Sequence, residues 1–345
     1  MKTADLIGIR KFQVIEKPKP GNVKDNEVLL QIKSVGVCGS DLHYFNEGKI
    51  GDQIINFPFT IGHECSGVVE KTGKNVKKVK TGDLVAVEPL LVCHKCEQCL
   101  KGREHTCLRQ KFLGCPGQAS GCLSEYLIMP EENCFKVPEN FSSELAALVE
   151  PLSIAYYTVN FLKDFKRMSS IAILGVGPIG LGVLSILKTF GFNTIAATDK
   201  LDYRLDAALK AGAVFSVNAD KEDVISALHK KFPESFDAVI ECCGKQEALD
   251  QAVDLLKPGG LLLIVGIPEE DYVSFNISKL RRKEITIQNV RRQNNSIKPV
   301  IDLIASGKLD PEFMITHKYG IKDTGKAFKT VSEYKDGVIK AVIKF

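Results

Sequence analysis

Ser169–Gly191 reads SSIAILGVGPIGLGVLSILKTFG, an apolar strand-like run, a tight glycine turn and then an apolar stripe at helical spacing. Gly175, Gly177 and Gly180 fit G-x-G-x-x-G, in which the missing side chains let the backbone bring a pyrophosphate against the amino end of a helix. Pro178 is preorganised for an early helical position. The motif has its required context, because NTIAATD (193–199) supplies a second strand that ends in an acid, Asp199. That carboxylate can accept hydrogen bonds from the ribose hydroxyls of NAD and would repel a 2′-phosphate. Arg204 either flanks the adenosine or lies solvated on the following helix.

Downstream the alternation continues through AVFSV, EDVISALHKKF, FDAVIEC, EALDQAVDLL, a turn at KPGG, LLLIVGI and KEITIQNV. Six strands with intervening helices predict a doubly wound parallel sheet. A helix near IKPVIDLIASG, another near TGKAFKTVSEY and a last strand, VIKAVIKF, have no sheet of their own and are expected to complete the domain that precedes the glycine turn.

That preceding domain reads as β-rich. EVLLQIKSVGV, SGVVEKTG, DLVAVEP and SEYLIMP are short apolar or alternating runs separated by Gly, Pro and Asn, the pattern of a compact barrel or sandwich. Within it VCHKCEQCLKGREHTC carries Cys93, Cys96, Cys99 and Cys107 as C-x2-C-x2-C-x7-C. Four thiolates at these spacings can close a tetrahedron around zinc with no position left for chemistry, and an iron–sulfur cluster is the other reading. His94 and His105 lie inside the array and are expected to be solvated neighbours. The remaining Cys65, Cys115, Cys122, Cys134, Cys242 and Cys243 are expected to be buried small hydrophobes.

A second constellation spans CGSDLHYF (38–45) and PFTIGHECSG (58–67). Cys38, His63 and Glu64 offer a thiolate, an imidazole and a carboxylate, which are either the three-ligand set of a catalytic zinc with an open fourth position or three unrelated polar residues near a barrel core. Adjacent residues cannot point the same way from a regular strand, so Gly62 is expected to supply an irregular turn that aims His63 and Glu64 together.

Composition sets the outer limits. The chain has 345 residues, 44% hydrophobic and 26% charged, which fits two ordinary globular cores. A net charge of +4 is too small, and the lysines of 71–80 too interrupted, to imply nucleic acid. No stretch resembles a signal peptide or membrane span, so a cytoplasmic protein with no membrane partner is expected, and clustered cysteines in a reducing compartment favour metal over disulfides.

The order of CGSD with His43 nearby, GHE, the four-cysteine lobe, EPLS (150–153) and GVGPIG resembles the zinc-dependent medium-chain dehydrogenases over essentially the whole chain. Within them CGSDLHYF, GHE and EPLS resemble polyol dehydrogenases of the sorbitol or xylitol type, whereas threonine dehydrogenases typically have Thr at the place of Ser40 and lack Tyr44. The resemblance implies a GroES-like catalytic domain over 1–152 with its zinc lobe near 93–107, a Rossmann domain over 153–291, and a return segment over 292–345 completing the first. It implies that Cys38, His63 and Glu64 bind catalytic zinc, with Glu150 either a fourth ligand or a hydrogen-bond partner of the zinc-bound water. Ser40 would pass the substrate proton towards His43, Asp41 would orient His63, and Tyr44 would line the substrate pocket. Cys93, Cys96, Cys99 and Cys107 would hold a structural zinc. Gly175, Gly177, Ile179, Gly180, Asp199, Arg204 and the backbone of Val265 and Ile267 would bind NAD, and Arg292 would reach cofactor or substrate. After KEITIQNV the polyol enzymes usually continue with an aromatic residue, Arg and Tyr; Arg291, Arg292 and Gln293 stand here instead, so the aromatic wall is altered.

The implied activity is oxidation of a small-molecule polyol to a ketose by an enzyme carrying zinc and NAD, as a homodimer or homotetramer pairing through KEITIQNV. The alternatives are a threonine or sugar-alcohol-phosphate dehydrogenase, and a non-catalytic NAD-binding structural or sensor protein.

Overall fold

The computed structural model describes residues 1–268, 270 and 272–345. The chain forms two compact units, Met1–Pro151 with Ile297–Phe345, and Leu152–Ser296.

In the first unit the strand Glu27–Gly36 is the hub. It pairs antiparallel with Glu64–Thr72, with Tyr126–Pro130 and with the last strand, Lys340–Lys344. Leu84–Val87 and Cys134–Lys136 extend this sheet on one side, and Ile315–Gly320 adds in parallel to Lys340–Lys344 on the other. The return segment is thus part of this sheet, and its apolar face explains why. Leu30, Ile32, Val35, Phe45, Ile61, Val85, Phe328 and Ile343 are buried in one cluster, each worth about 1.5–3 kcal/mol.

Register decides what lies beside what. Gly36 is opposite Glu64 on one neighbour and opposite Val342 on the other, so the start of the last strand comes up against the glutamate. Gly36 is required there, because a Cβ would stand 2.1 Å from Glu64 Oε2.

The second unit holds six parallel strands in the order Phe215–Asn218, Thr194–Asp199, Ser170–Leu174, Phe236–Glu241, Leu256–Ile264, Thr286–Asn289. The order reverses at Ser170–Leu174, the place where such sheets open a crevice at the carboxyl ends of their strands. The helix Pro178–Thr189 starts there, with Gly177 as N-cap and Pro178 in its first turn. A Cβ on Gly180 would lie 2.1 Å from the Gly175 carbonyl, so the close helix–turn packing excludes any side chain.

KPGG is not a turn between elements. It lies inside the strand Leu256–Ile264, where Gly259 takes φ +74° and the pairing register with Phe236–Glu241 shifts. The left-handed glycine absorbs the extra residues as an irregularity, so the strand runs on without a loop. Among the described residues, no helix is long and apolar enough to cross a membrane.

Candidate active site and a four-cysteine lobe

Cys38 ends the run that follows Glu27–Gly36 and serves as N-cap of the helix Gly39–Glu47, which stops at the left-handed Gly48. Gly62 adopts φ +96°, the irregular turn that precedes the two other candidate ligands. Ligand atoms of Cys38, His63 and Glu64 all lie within 4.8 Å of one another. That spacing suits a cation bonded at about 2.0–2.3 Å to each.

The donor chemistry points the same way. Burial alone would lower the His63 pKa, but the Asp41 carboxylate and the Cys38 thiolate outweigh it and hold the imidazole well above its usual range. A proton is therefore strongly held where a divalent cation would replace it. Asp41 Oδ1 is 3.4 Å from His63 Nδ1, both side chains being buried, which leaves Nε2 as the metal-side nitrogen. Ser40 Oγ donates to Cys38 Sγ at 3.3 Å. His43, half-buried, has Nδ1 3.9 Å from Glu47 Oε1.

Lys340 is a component that sequence reasoning missed. Its Nζ donates to Glu64 Oε1 at 2.8 Å, to Glu64 Oε2 at 2.7 Å and to the Val37 carbonyl at 3.2 Å. The two side chains are 2% and 1% exposed. Burial would lower the lysine pKa, yet Glu64 first and then Cys38 raise it overall, with Glu150 adding to the same effect, so Lys340 remains an ammonium. It offsets part of the negative charge gathered around the ligand set. Glu150 is buried in the helix Ser143–Asn160, outside the grouping formed by Cys38, His63 and Glu64.

Tyr44 follows Ser40 by one helical turn, on the same side of the helix. It is buried, and its hydroxyl donates to Gln53 Oε1 at 2.8 Å and lies 3.8 Å from Cys115 Sγ. Gln53, also missed, belongs to a short hairpin pairing Lys49–Ile50 with Gln53–Ile54.

In the lobe, Sγ–Sγ distances are 3.5 Å for Cys96–Cys99, 3.9 Å for Cys96–Cys107 and 3.5 Å for Cys93–Cys107. A tetrahedron of Zn–S bonds near 2.3 Å has edges of about 3.8 Å, so the cage is closed at zinc size. Backbone N–H groups of Cys93 and Arg109 point at Cys107 Sγ, each at 3.4 Å. Backbone hydrogen bonds from Cys99 and Leu108 bring the Cys96 thiol down to about 6, while burial pushes Cys99 up to about 12. His94 is exposed between Glu104 and Glu132, as a solvated neighbour would be. His105 is not solvated: the short turn Glu104–Thr106 carries it inward and it is buried.

In the second unit Asp199 Oδ2 accepts from the Val176 N–H at 2.9 Å and Oδ1 from the Leu201 N–H at 3.1 Å, which fixes the carboxylate beside the glycine turn. Arg204 is not solvated. Its guanidinium is 3.7 Å from Asp199 and packs over Gly177.

Glu241, buried at the carboxyl end of Phe236–Glu241, ties two loops together. Its carbonyl accepts from Val265 and Gly266, and its Oε1 from Cys243 and Gly244. Val265 thus spends its N–H within the fold, and Ile267 is exposed. Cys65, Cys115, Cys122 and Cys134 are buried, Cys242 is half-buried and Cys243 is exposed, since it sits on the glycine turn with its Cβ against Gly175. Arg292 is half-buried with φ +53°, Arg291 is exposed, and Gln293 accepts from the Ser296 N–H at 2.8 Å.

A zinc-sized cage, an open three-ligand set and a glycine turn closed by an acid define a metal-dependent dehydrogenase. The alcohol dehydrogenase GroES-like domain matches residues 24–139 and the zinc-binding dehydrogenase family matches residues 178–306. The chain is 34% identical to the sorbitol dehydrogenase of Bacillus subtilis strain 168 over 344 residues, covering 99% of this chain and 97% of that protein. It is 34% identical to the L-threonine 3-dehydrogenase of Bacillus velezensis over 327 residues, 94% of this chain and 93% of that one. A solved alcohol dehydrogenase from Escherichia coli CFT073 complexed with NADH is 27% identical with a TM-score of 0.90, covering 100% of this chain and 99% of that chain.

The chain belongs to the zinc-type medium-chain alcohol dehydrogenases and resembles their polyol-oxidising members. It is an oxidoreductase that works with zinc and a nicotinamide dinucleotide.

Proposed function

We propose that the enzyme oxidises a secondary carbinol of a neutral polyol to a ketose, with NAD as hydride acceptor. The observation that carries this reading is the make-up of the helix Gly39–Glu47, where Ser40 Oγ touches the ligand Cys38 and Tyr44 follows one turn on. With Glu64 among the ligands, the site is anionic and rich in hydroxyl partners. A site of that kind favours a substrate with neighbouring hydroxyls, because a simple alcohol leaves its polar groups unpaired.

When bound at Cys38, His63 and Glu64, zinc supplies Lewis acidity to an alcohol oxygen, and NAD supplies the hydride-accepting carbon. Ser40 Oγ accepts the alcohol proton, and half-buried His43 hands it towards solvent. Asp41 keeps His63 Nδ1 protonated and Nε2 basic. Lys340 stays charged and restrains Glu64, while Glu150 adds a buried negative charge beside Lys340 and acts on zinc or on its water.

On the coenzyme side, Gly175, Gly177, Ile179 and Gly180 cradle the pyrophosphate. Asp199 reads the ribose and sets NAD over NADP, and Arg204 flanks the adenosine. The Val265 carbonyl and the Ile267 backbone hold the carboxamide end, and Arg292 reaches the cofactor. Cys93, Cys96, Cys99 and Cys107 hold a structural zinc. Pairing of copies through the edge strand Thr286–Asn289 makes a homodimer or homotetramer, which a mass measurement in solution checks.

The test is a kcat/KM panel of sorbitol, xylitol, galactitol, a sugar-alcohol phosphate, L-threonine and ethanol. A polyol preference supports the reading, and a clear preference for L-threonine or ethanol contradicts it.

A further inference from the structure

The hairpin beyond the helix Gly39–Glu47 bears on which part of a substrate is read. Gly48 ends that helix with φ +72° and receives no side chain, and its carbonyl accepts from the Ile55 N–H at 2.8 Å. These constraints fold Lys49–Ile50 and Gln53–Ile54 back along the helix, which brings Gln53 Oε1 within 2.8 Å of the Tyr44 hydroxyl. Cys115, whose Sγ is 3.8 Å from that hydroxyl, is next to Gly114, and a Cβ on Gly114 would lie 2.9 Å from the Gly62 backbone. Gly62 directly precedes His63, and the Phe112 ring packs against the His63 ring in a tilted contact at 5.1 Å between centroids. Tyr44 and Gln53 therefore belong to the wall that carries the ligand histidine.

Hydrogen-bond counting then gives the chemistry. A phenol has one proton, and that of Tyr44 is placed to go to Gln53 Oε1 at 2.8 Å, with the longer 3.8 Å approach to Cys115 Sγ as the weaker option; while Gln53 holds it, the tyrosine oxygen acts as an acceptor. Among the described residues nothing accepts from Gln53 Nε2, and the side chain is half-buried. The pair thus presents amide protons beside an oriented oxygen acceptor and no cation. A hydroxyl both donates and accepts, and it satisfies both partners. A phosphate or carboxylate brings only acceptors against the tyrosine oxygen.

Resting on the polyol reading above, we infer that Gln53 is a specificity-determining residue. Its amide, with the Tyr44 oxygen that it orients, reads a neutral hydroxyl of the substrate away from the carbon being oxidised, and selects against an anion there.

The test uses the full-length zinc enzyme with NAD and the best polyol of the panel, that polyol's deoxy analogue lacking a hydroxyl away from the oxidised carbon, and its phosphate ester. The unmodified enzyme should favour the polyol over the deoxy analogue by roughly 10–100-fold in kcat/KM, and should favour it over the phosphate ester as well. Gln53→Leu should shrink the polyol-to-deoxy ratio by about tenfold. Gln53→Glu keeps an acceptor for Tyr44 but has no amide protons, and should shrink the ratio to a similar extent, which keeps the inference testable where Gln53→Leu folds poorly. Tyr44→Phe should do the same from the other side, and a melting curve for each variant reports folding separately.

An unchanged ratio in Gln53→Leu and Gln53→Glu, or an equal loss on polyol and deoxy analogue, overturns the role of Gln53 while leaving the polyol reading intact. Failure of the unmodified enzyme to oxidise any polyol overturns that reading and this inference together.

Discussion

The two candidate metal-binding clusters of the first unit are built from opposite materials. The lobe is four like sulfurs on one short segment, with neighbouring Sγ atoms 3.5–3.9 Å apart along Cys99–Cys96–Cys107–Cys93 and two backbone N–H groups aimed at Cys107 Sγ. The other cluster draws a sulfur, a nitrogen and a carboxylate from two distant stretches and is braced from behind by Asp41 and Lys340. A closed cage uses metal to hold a loop, whereas an open set uses the sheet to hold a metal. Loss of metal should therefore cost fold at the lobe and chemistry at the open set.

The largest effect that sharpens this contrast is expected at the open set. Cys38→Ala or His63→Ala should lower kcat/KM by about 10⁴-fold or more, with a melting temperature within a few degrees of the parent. Parallel loss of folding would erase the distinction. At the lobe, Cys99→Ser should do the reverse, lowering the melting temperature by on the order of 10 °C or cutting soluble yield, with the residual folded fraction still turning over. Near-parental melting of a zinc-depleted Cys99→Ser lobe would show that the cage is not structural.

Lys340→Met sharpens the comparison from behind the open set. Removing one partner of a buried pair leaves Glu64 uncompensated and should cost about 3–5 kcal/mol in denaturant unfolding of the zinc-free protein, together with a changed zinc affinity. A variant as stable as the parent, with zinc held as tightly, would show that the lysine is a bystander.

On the coenzyme side Asp199→Ser should narrow an NAD-over-NADP preference of roughly a hundredfold or more, read as the ratio of kcat/KM values. Equal use of both cofactors by the parent would show that Asp199 does not face the ribose.

The smallest effect concerns acid stability. Burial would raise the Glu144 pKa, but Lys318 and Lys344 with Ser143 bring it down to about 2. A depressed carboxylate contributes stability above its unfolded pKa, near 4.5, and that contribution fades as pH falls from there towards 2. Glu144→Gln should therefore lower stability at neutral pH, by on the order of 1–2 kcal/mol, and flatten its decline over that acid range. An unchanged acid transition would place the stabilisation elsewhere.

What was legible in the sequence was whatever lies close along the chain. The glycine turn with Asp199, the four-cysteine array and the pairing of His63 with Glu64 through Gly62 each depend on local spacing, and local spacing survives folding. Lys340 was illegible because its contact spans 276 positions and exists only through the register that sets Gly36 between Glu64 and Val342. In VIKAVIKF two lysines share one strand face and read as a solvated edge. Lys344 is half-buried with Glu144, while Lys340 is sealed in.

Gln53 was hidden for a related reason. Gly51 and Asp52 in GKIGDQII are a tight-turn pair, but nothing local announces that the hairpin will fold back on Tyr44. Similarly His105 reads as a loop polar residue until a single turn of 3-10 helix points it inward. The faint signal available for Lys340 was Gly36 itself, a glycine ending a strand rich in Val, Leu and Ile, where a carboxylate needs the space.

The most direct test of the two-cluster account is metal content during graded chelation, followed together with activity and the melting curve. Two zincs per chain are expected in the active enzyme. The first to leave should take turnover with it and barely move the melting temperature, and the second should take the fold. A single zinc in fully active, fully folded protein would contradict the account.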